Sequence, residues 1–265
     1  GANNTALGYQ AMDANTTGAA NVAVGSNALG GNTTGAYNTA NGFDALKSNT
    51  TGTENVAVGQ AALNTNTTAS NNTAVGAAAL YYNTTGANNV AVGKSALVDN
   101  TTGTVNVAIG YLALNSNTTA AYNVGIGYEA LKFNTTGTNN VGIGKGALEK
   151  NTTASNNTAV GWQALLANTT GTLNVAVGTN ALDANQTGSA NTAVGYNAGS
   201  AFTSDGITAF GKDALELCTT GLNTAVGANA LSSVTSNAGN TAVGQDALTA
   251  NTTANNTAVG AFALG

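Results

Sequence analysis

The chain has 265 residues, of which only 6% are charged; eleven carboxylates and six lysines give a net charge of −5, with no Arg, His or Pro. Ordinary soluble domains carry about 25% charged residues. So little positive charge argues against a nucleic-acid partner, the lack of His removes the usual general base and commonest metal ligand, and apolar runs of a few residues leave no membrane-spanning helix.

A pentad organises the chain from its start. It opens as Asn4-Thr5-Ala6-Leu7-Gly8, returns as Asn21-Val22-Ala23-Val24-Gly25 and recurs to Asn256-Thr257-Ala258-Val259-Gly260. There are sixteen copies, 17 residues apart except for three intervals of 16 near the end. A fixed short period means a solenoid in which each repeat buries its apolar face on its neighbours. Counting from the opening Asn, the consensus reads Asn-(Thr/Val)-Ala-Val-Gly-x-x-Ala-Leu-x-x-Asn-Thr-Thr-Gly-x-x. A coil this short excludes a β-α or two-helix unit and suits one turn of a narrow, all-β parallel solenoid. The low charge fits, because like charges stacked rung upon rung would repel. The abundance of Val and Thr argues against disorder.

Within each copy, the first five positions alternate in the strand period. Ala-Leu, at the eighth and ninth positions, is expected on a second short strand. Asn-Thr-Thr-Gly is turn chemistry. In the copy at Asn55, the strict small residues imply that Ala57, Gly59 and Ala62 face a narrow interior and that Val56, Val58 and Leu63 face outward. Gly25, Gly59, Gly93, Ala28, Ala62 and Ala96 are then tight-turn or core positions. An outward stripe of Val and Leu needs a cover, and parallel identical chains are the simplest. Large residues turned inward would instead make a wider coil and a stable monomer.

Two Asn columns are expected to hydrogen-bond from rung to rung. Asn21, Asn55 and Asn89 represent the first position, and Asn15, Asn32 and Asn49 the twelfth. The same Asn-Thr-Thr triplets match the N-glycosylation sequon, but a sugar on every rung would crowd. The pattern is regular over residues 1–198, irregular over 199–239 and regular again over 240–265, within one continuous domain. In the irregular stretch Phe202, Cys218 and Val234 replace the twelfth-position Asn, Ile207 replaces the first, and Gly199 replaces Leu. A locally distorted turn is the simpler reading there, and a kink or ligand site the alternative.

The run Asn55-Val56-Ala57-Val58-Gly59-Gln60-Ala61-Ala62 resembles the head repeats of trimeric autotransporter adhesins of the YadA type. The resemblance extends over essentially the whole chain. It implies a left-handed parallel β-roll assembled as three parallel chains. The longer repeat, with Asn-Thr-Thr-Gly inserted, is similar to repeats of phage and phage-like tail fibres. Both resemblances imply an extracellular, cell-surface or virion location, and the chain is expected to be a segment of a longer fibre.

No constellation for catalysis is visible, and no cofactor or metal is expected. Cys218 is the single cysteine and has no His partner. The carboxylates suggest no acid–base pair, Asp205-Gly206 reads as a turn, and no Gly-Lys-Ser/Thr closes a phosphate loop. The sixth position holds Tyr9, Phe43, Tyr111, Tyr128, Trp162 and Tyr196, either surface decoration or a recognition surface for a host glycan or protein receptor. The main functional expectation is therefore a structural fibre or adhesin segment, a rod of roughly 75 Å at roughly 4.8 Å per rung. The alternative is an ice-binding solenoid that uses stacked Thr, with only one Thr of each adjacent pair facing the ice.

Overall fold

The computed structural model describes residues 1–264 and is all-β, with one three-residue strand in every repeat copy. It divides into two compact units, Gly1–Thr136 and Gly137–Gly265. The first unit holds β1 (Thr5–Leu7), β2 (Val22–Val24), β3 (Thr39–Asn41), β4 (Val56–Val58), β5 (Thr73–Val75), β6 (Val90–Val92), β7 (Val107–Ile109) and β8 (Val124–Ile126). The second holds β9 (Val141–Ile143), β10 (Thr158–Val160), β11 (Val175–Val177), β12 (Thr192–Val194), β13 (Thr208–Phe210), β14 (Thr224–Val226), β15 (Thr241–Val243) and β16 (Thr257–Val259).

Each unit is a parallel β-solenoid in which consecutive strands pair like on like. Val56 faces Thr73, Ala57 faces Ala74 and Val58 faces Val75. The pairing survives a shortened repeat, since Ala193 still faces Ala209 across 16 residues. The missing residue comes out of the Asn-Thr-Thr-Gly turn. Ser204 lies only two residues after Phe202, yet its carbonyl accepts the Asn191 amide, as the fifteenth-position carbonyl does elsewhere.

The coil interior is narrow and combines Ala and Leu with buried Asn. Ala57, Ala62 and Leu63 have no exposed surface, whereas Val56 and Val58 are half-exposed. Leu63 thus corrects the outward placement expected for it. Val faces out and Leu faces in, so the coil is neither all-small nor filled by every large residue.

The second strand expected at Ala-Leu is absent, because the chain turns there. Ala61 (φ 56°) and Leu63 (φ 50°) both take left-handed backbone, as does Glu54 (φ 59°) just before the next copy. Left-handed geometry costs a non-glycine residue about 1–2 kcal/mol. At the ninth position that cost is offset by complete burial of Leu, which contributes about 1.5–3 kcal/mol. The turn keeps its donors along the stacking direction: Ala61 N bonds Phe43 O of the previous rung at 2.8 Å, and Leu63 N bonds Ala79 O of the next at 3.0 Å.

Within the second unit, residues 199–239 keep their strands but change the filling. Phe202, Ile207, Cys218 and Val234 are all buried. Gly199 and Ile207 compensate one another: a Cβ on Gly199 would lie 2.8 Å from Ile207 Cδ1 and 3.3 Å from Leu182 Cδ2. The volume that Leu occupies in other rungs is given to Ile207, so the core stays filled.

Candidate functional site

Two buried amide columns run through the coils. At the first position, Asn21, Asn55 and Asn89 are fully buried. Asn38 Oδ1 accepts the backbone N–H of Asn55 at 3.0 Å and its Nδ2 at 3.1 Å. At the twelfth position, Asn49 Nδ2 donates to Asn32 Oδ1 at 2.8 Å, and Asn66 repeats the bond to Asn49 at 2.9 Å. The columns meet at the fifteenth-position carbonyl: Gly52 O accepts Asn38 Nδ2 at 2.8 Å and Asn49 Nδ2 at 3.0 Å. Asn15, in the first copy, donates to Gly18 O and accepts from Asn32. Asn32 and Asn49 are inaccessible, so a glycan at either sequon would displace a buried, hydrogen-bonded amide.

The glycines of the pentad serve the backbone rather than the core. Gly25 (φ 132°), Gly59 (φ 132°) and Gly93 (φ 135°) are half-buried, and a Cβ on Gly59 would lie 2.6 Å from Gly76 O. Ala28, Ala62 and Ala96 are fully buried.

Three surfaces face outward. The first is the strand face, where Val24, Val58, Val75 and Val92 recur at the fourth position beside Val or Thr at the second, all partly exposed among the strands of the first unit. The second is a bend at Asn-Thr-Thr. Thr50 Oγ1 donates to Thr67 O at 3.0 Å, and the same carbonyl accepts Thr50 N and Thr51 N. One hydroxyl of each Thr pair is thereby committed, and the other, as at Thr34, Thr51, Thr85 and Thr102, is exposed.

The third surface, in each unit, is its sixth-position column. Tyr9, Phe43, Tyr111, Tyr128, Trp162 and Tyr196 are all exposed. Tyr111 and Tyr128, one rung apart, stack at 5.3 Å between centroids. Two aromatic contacts elsewhere escaped the sequence reading: Tyr81 meets Tyr82 edge-on at 4.6 Å, and the Lys132 ammonium lies 4.9 Å from the Phe133 ring centre. Both involve the variable tenth and eleventh positions, where no repeat pattern flags them.

Burial pushes the Asp99 and Asp183 carboxyls and the Cys218 thiol upward, while a hydrogen bond and attraction from Asp213 raise exposed Lys212. Cys218 Sγ donates to Thr220 O at 3.2 Å. Among the described residues no cavity is present, and no three His, Cys, Asp or Glu side chains group to hold a metal. The chain matches no protein-family model, no curated protein and no solved structure.

Proposed function

We propose that this chain is a structural segment of an extracellular or virion fibre, of the adhesin-head or tail-fibre kind, assembled from identical parallel chains. The observation that carries the proposal is the outward Val and Ile of the strand face, set over an interior already filled by Ala, Leu and Asn. Nothing inside the coil needs these side chains, and a second copy running parallel has the same rung spacing and offers the same residues to cover them. Recognition of a host glycan or protein receptor then falls to the variable positions, and the invariant ones hold the rung.

Cysteine cross-linking tests which face is covered. Val58→Cys, on the strand face, is expected to give interchain disulfides under mild oxidation, while Thr51→Cys, on the exposed bend, gives few. No linkage at residue 58, or equal linkage at both, overturns the assembly. A second reading, ice binding, draws on the exposed Thr34, Thr51, Thr85 and Thr102. One such Thr per rung, set at a bend, makes a single column rather than a two-dimensional array, so the fibre reading is preferred. Thermal hysteresis with faceted ice crystals would reverse that preference.

A further inference from the structure

At two places in the sixth-position series, apart from the adjacent Tyr111 and Tyr128, aromatic side chains stand on alternate rungs with a small hydroxyl residue between them. In the second unit the order is Trp162, Thr179, Tyr196; in the first unit Tyr9, Ser26 and Phe43 repeat it. All four rings are exposed. Backbone bonds pin the spacing at every step: Asn180 N to Trp162 O at 3.0 Å, Asn197 N to Thr179 O at 3.0 Å and Asp213 N to Tyr196 O at 2.8 Å. The first unit has the same ties, from Asn27 N to Tyr9 O, Asp44 N to Ser26 O and Ala61 N to Phe43 O. Two rungs therefore separate the backbone positions that carry each pair by about 9.6 Å, twice the parallel-strand spacing of about 4.8 Å.

That separation is close to the length of one disaccharide in an extended β-1,4-linked glycan. Successive sugars in such a chain turn over about its axis, so the same apolar C–H face returns once per disaccharide. Aromatic rings attract such faces, and the small Thr179 or Ser26 leaves the intervening sugar unobstructed. A helical α-linked glucan does not repeat in this way. We propose that Trp162 with Tyr196, and Tyr9 with Phe43, are binding tracks for a linear β-1,4-linked polysaccharide lying along the stacking direction. This inference rests on the reading that the variable positions carry recognition, and it names the ligand class.

Trp162 is the only Trp in the chain, so its fluorescence reports on its own track. The full chain is titrated with chitohexaose, cellohexaose and maltohexaose, with affinities also measured by calorimetry. The expected result is saturable binding of chitohexaose, cellohexaose or both, with maltohexaose at least ten-fold weaker. Binding of the first alone identifies an acetamido-sugar chain, and binding of both a backbone shared by glucan and chitin. Trp162→Ala and Tyr196→Ala are each expected to weaken binding at least ten-fold by calorimetry. These variants keep their fold, because Ala77, Ala228 and Ala261 occupy the same position in other rungs. Tyr82→Ala, off the track, leaves affinity unchanged. Binding of none of the three sugars, equal binding of maltohexaose, or full affinity in Tyr196→Ala overturns the inference. Solution mass measured on the same samples separates the two proposals. An oligomer that binds no glycan sinks the track alone, and a glycan-binding monomer sinks the fibre assembly alone.

Discussion

Asn55 ties three rungs together through one amide. Its N–H and Nδ2 both reach Asn38 Oδ1, its Nδ2 also reaches Ala69 O at 2.9 Å, and its Oδ1 accepts Asn72 N at 3.0 Å. Asn55→Ala leaves Asn72 N without its acceptor and Ala69 O without one of its two amide donors. The orphaned Asn72 N costs about 1–3 kcal/mol and the weakened Ala69 O adds to it, so a loss of about 3 kcal/mol in urea unfolding is predicted. Asn55→Asp is predicted to cost more, since a carboxylate there is buried, cannot donate and faces Asn38 Oδ1. An unchanged midpoint for both would show that the column is not a source of stability. The glycines separate in a similar way. Gly59→Ala meets both left-handed strain and a backbone oxygen, and a loss of about 3 kcal/mol is expected from strain of this kind. A Cβ on Gly52 would come as close as 2.3 Å to Ala69 O, yet Ala69, Ala120 and Ala154 occupy that very position in other rungs. The backbone there evidently gives, so Gly52→Ala is predicted to be the milder change in the same assay. Asp99 and Asp183 set a pH dependence. Burial raises both carboxyls, so the folded chain holds their protons more tightly than the unfolded chain does. Their contribution is present below the ordinary aspartate range and is lost as pH rises through the raised values. Asp99→Asn with Asp183→Asn is expected to flatten that fall in a series of melting temperatures; a steeper fall would reverse the sign.

At the scale of the rung, the interior tolerates little. Ala62→Leu inserts a large side chain beside buried Leu63 and is predicted to destabilise by about 1–3 kcal/mol through overpacking. Gln60→Leu, at an exposed position, is predicted to leave the melting temperature unchanged. Equal shifts in the two variants would mean that the faces are misassigned. The period, the strand at the pentad and the presence of two Asn columns were legible because those residues repeat almost without exception. The direction of Leu63 was not, because period-two reasoning stops where the chain leaves the strand. Left-handed residues at the seventh and ninth positions rotate the backbone, so Ala62 and Leu63, though adjacent, both reach the interior. A signal for the left-handed seventh and seventeenth positions did exist. Asn27, Asp44, Asn180, Asn197 and Asp246 at one, and Asn71, Asn88 and Gly239 at the other, are the residue types that accept such backbone most readily. No comparable cue marks the ninth, where Leu is held by burial against its own backbone preference. The exchange of Gly199 for Ile207 was visible only as two separate exceptions, since their contact spans the fold.

For the molecule as a whole, the scarcity of charge has a spatial form. In the regular copies all charged side chains lie at the sixth, seventh, tenth, eleventh and seventeenth positions, away from the strand and from the Asn-Thr-Thr-Gly turn. In each unit the strand face is therefore free of charge; its fourth position is Val or Ile except at Leu7, Asn41 and Phe210, and its second position is Val or Thr. Contiguous exposed apolar surface in water favours association. In the proposed fibre the partner is a second copy with its rungs in step, and Val58→Lys with Val92→Lys is predicted to leave the chain monomeric while preserving its β-sheet circular dichroism. The most direct test of the account is the solution mass of the chain by light scattering, alone and fused to a trimeric coiled coil. A trimer is expected in both, held in the first by the Val and Ile face; a stable, folded monomer in the absence of the fusion would contradict that assembly.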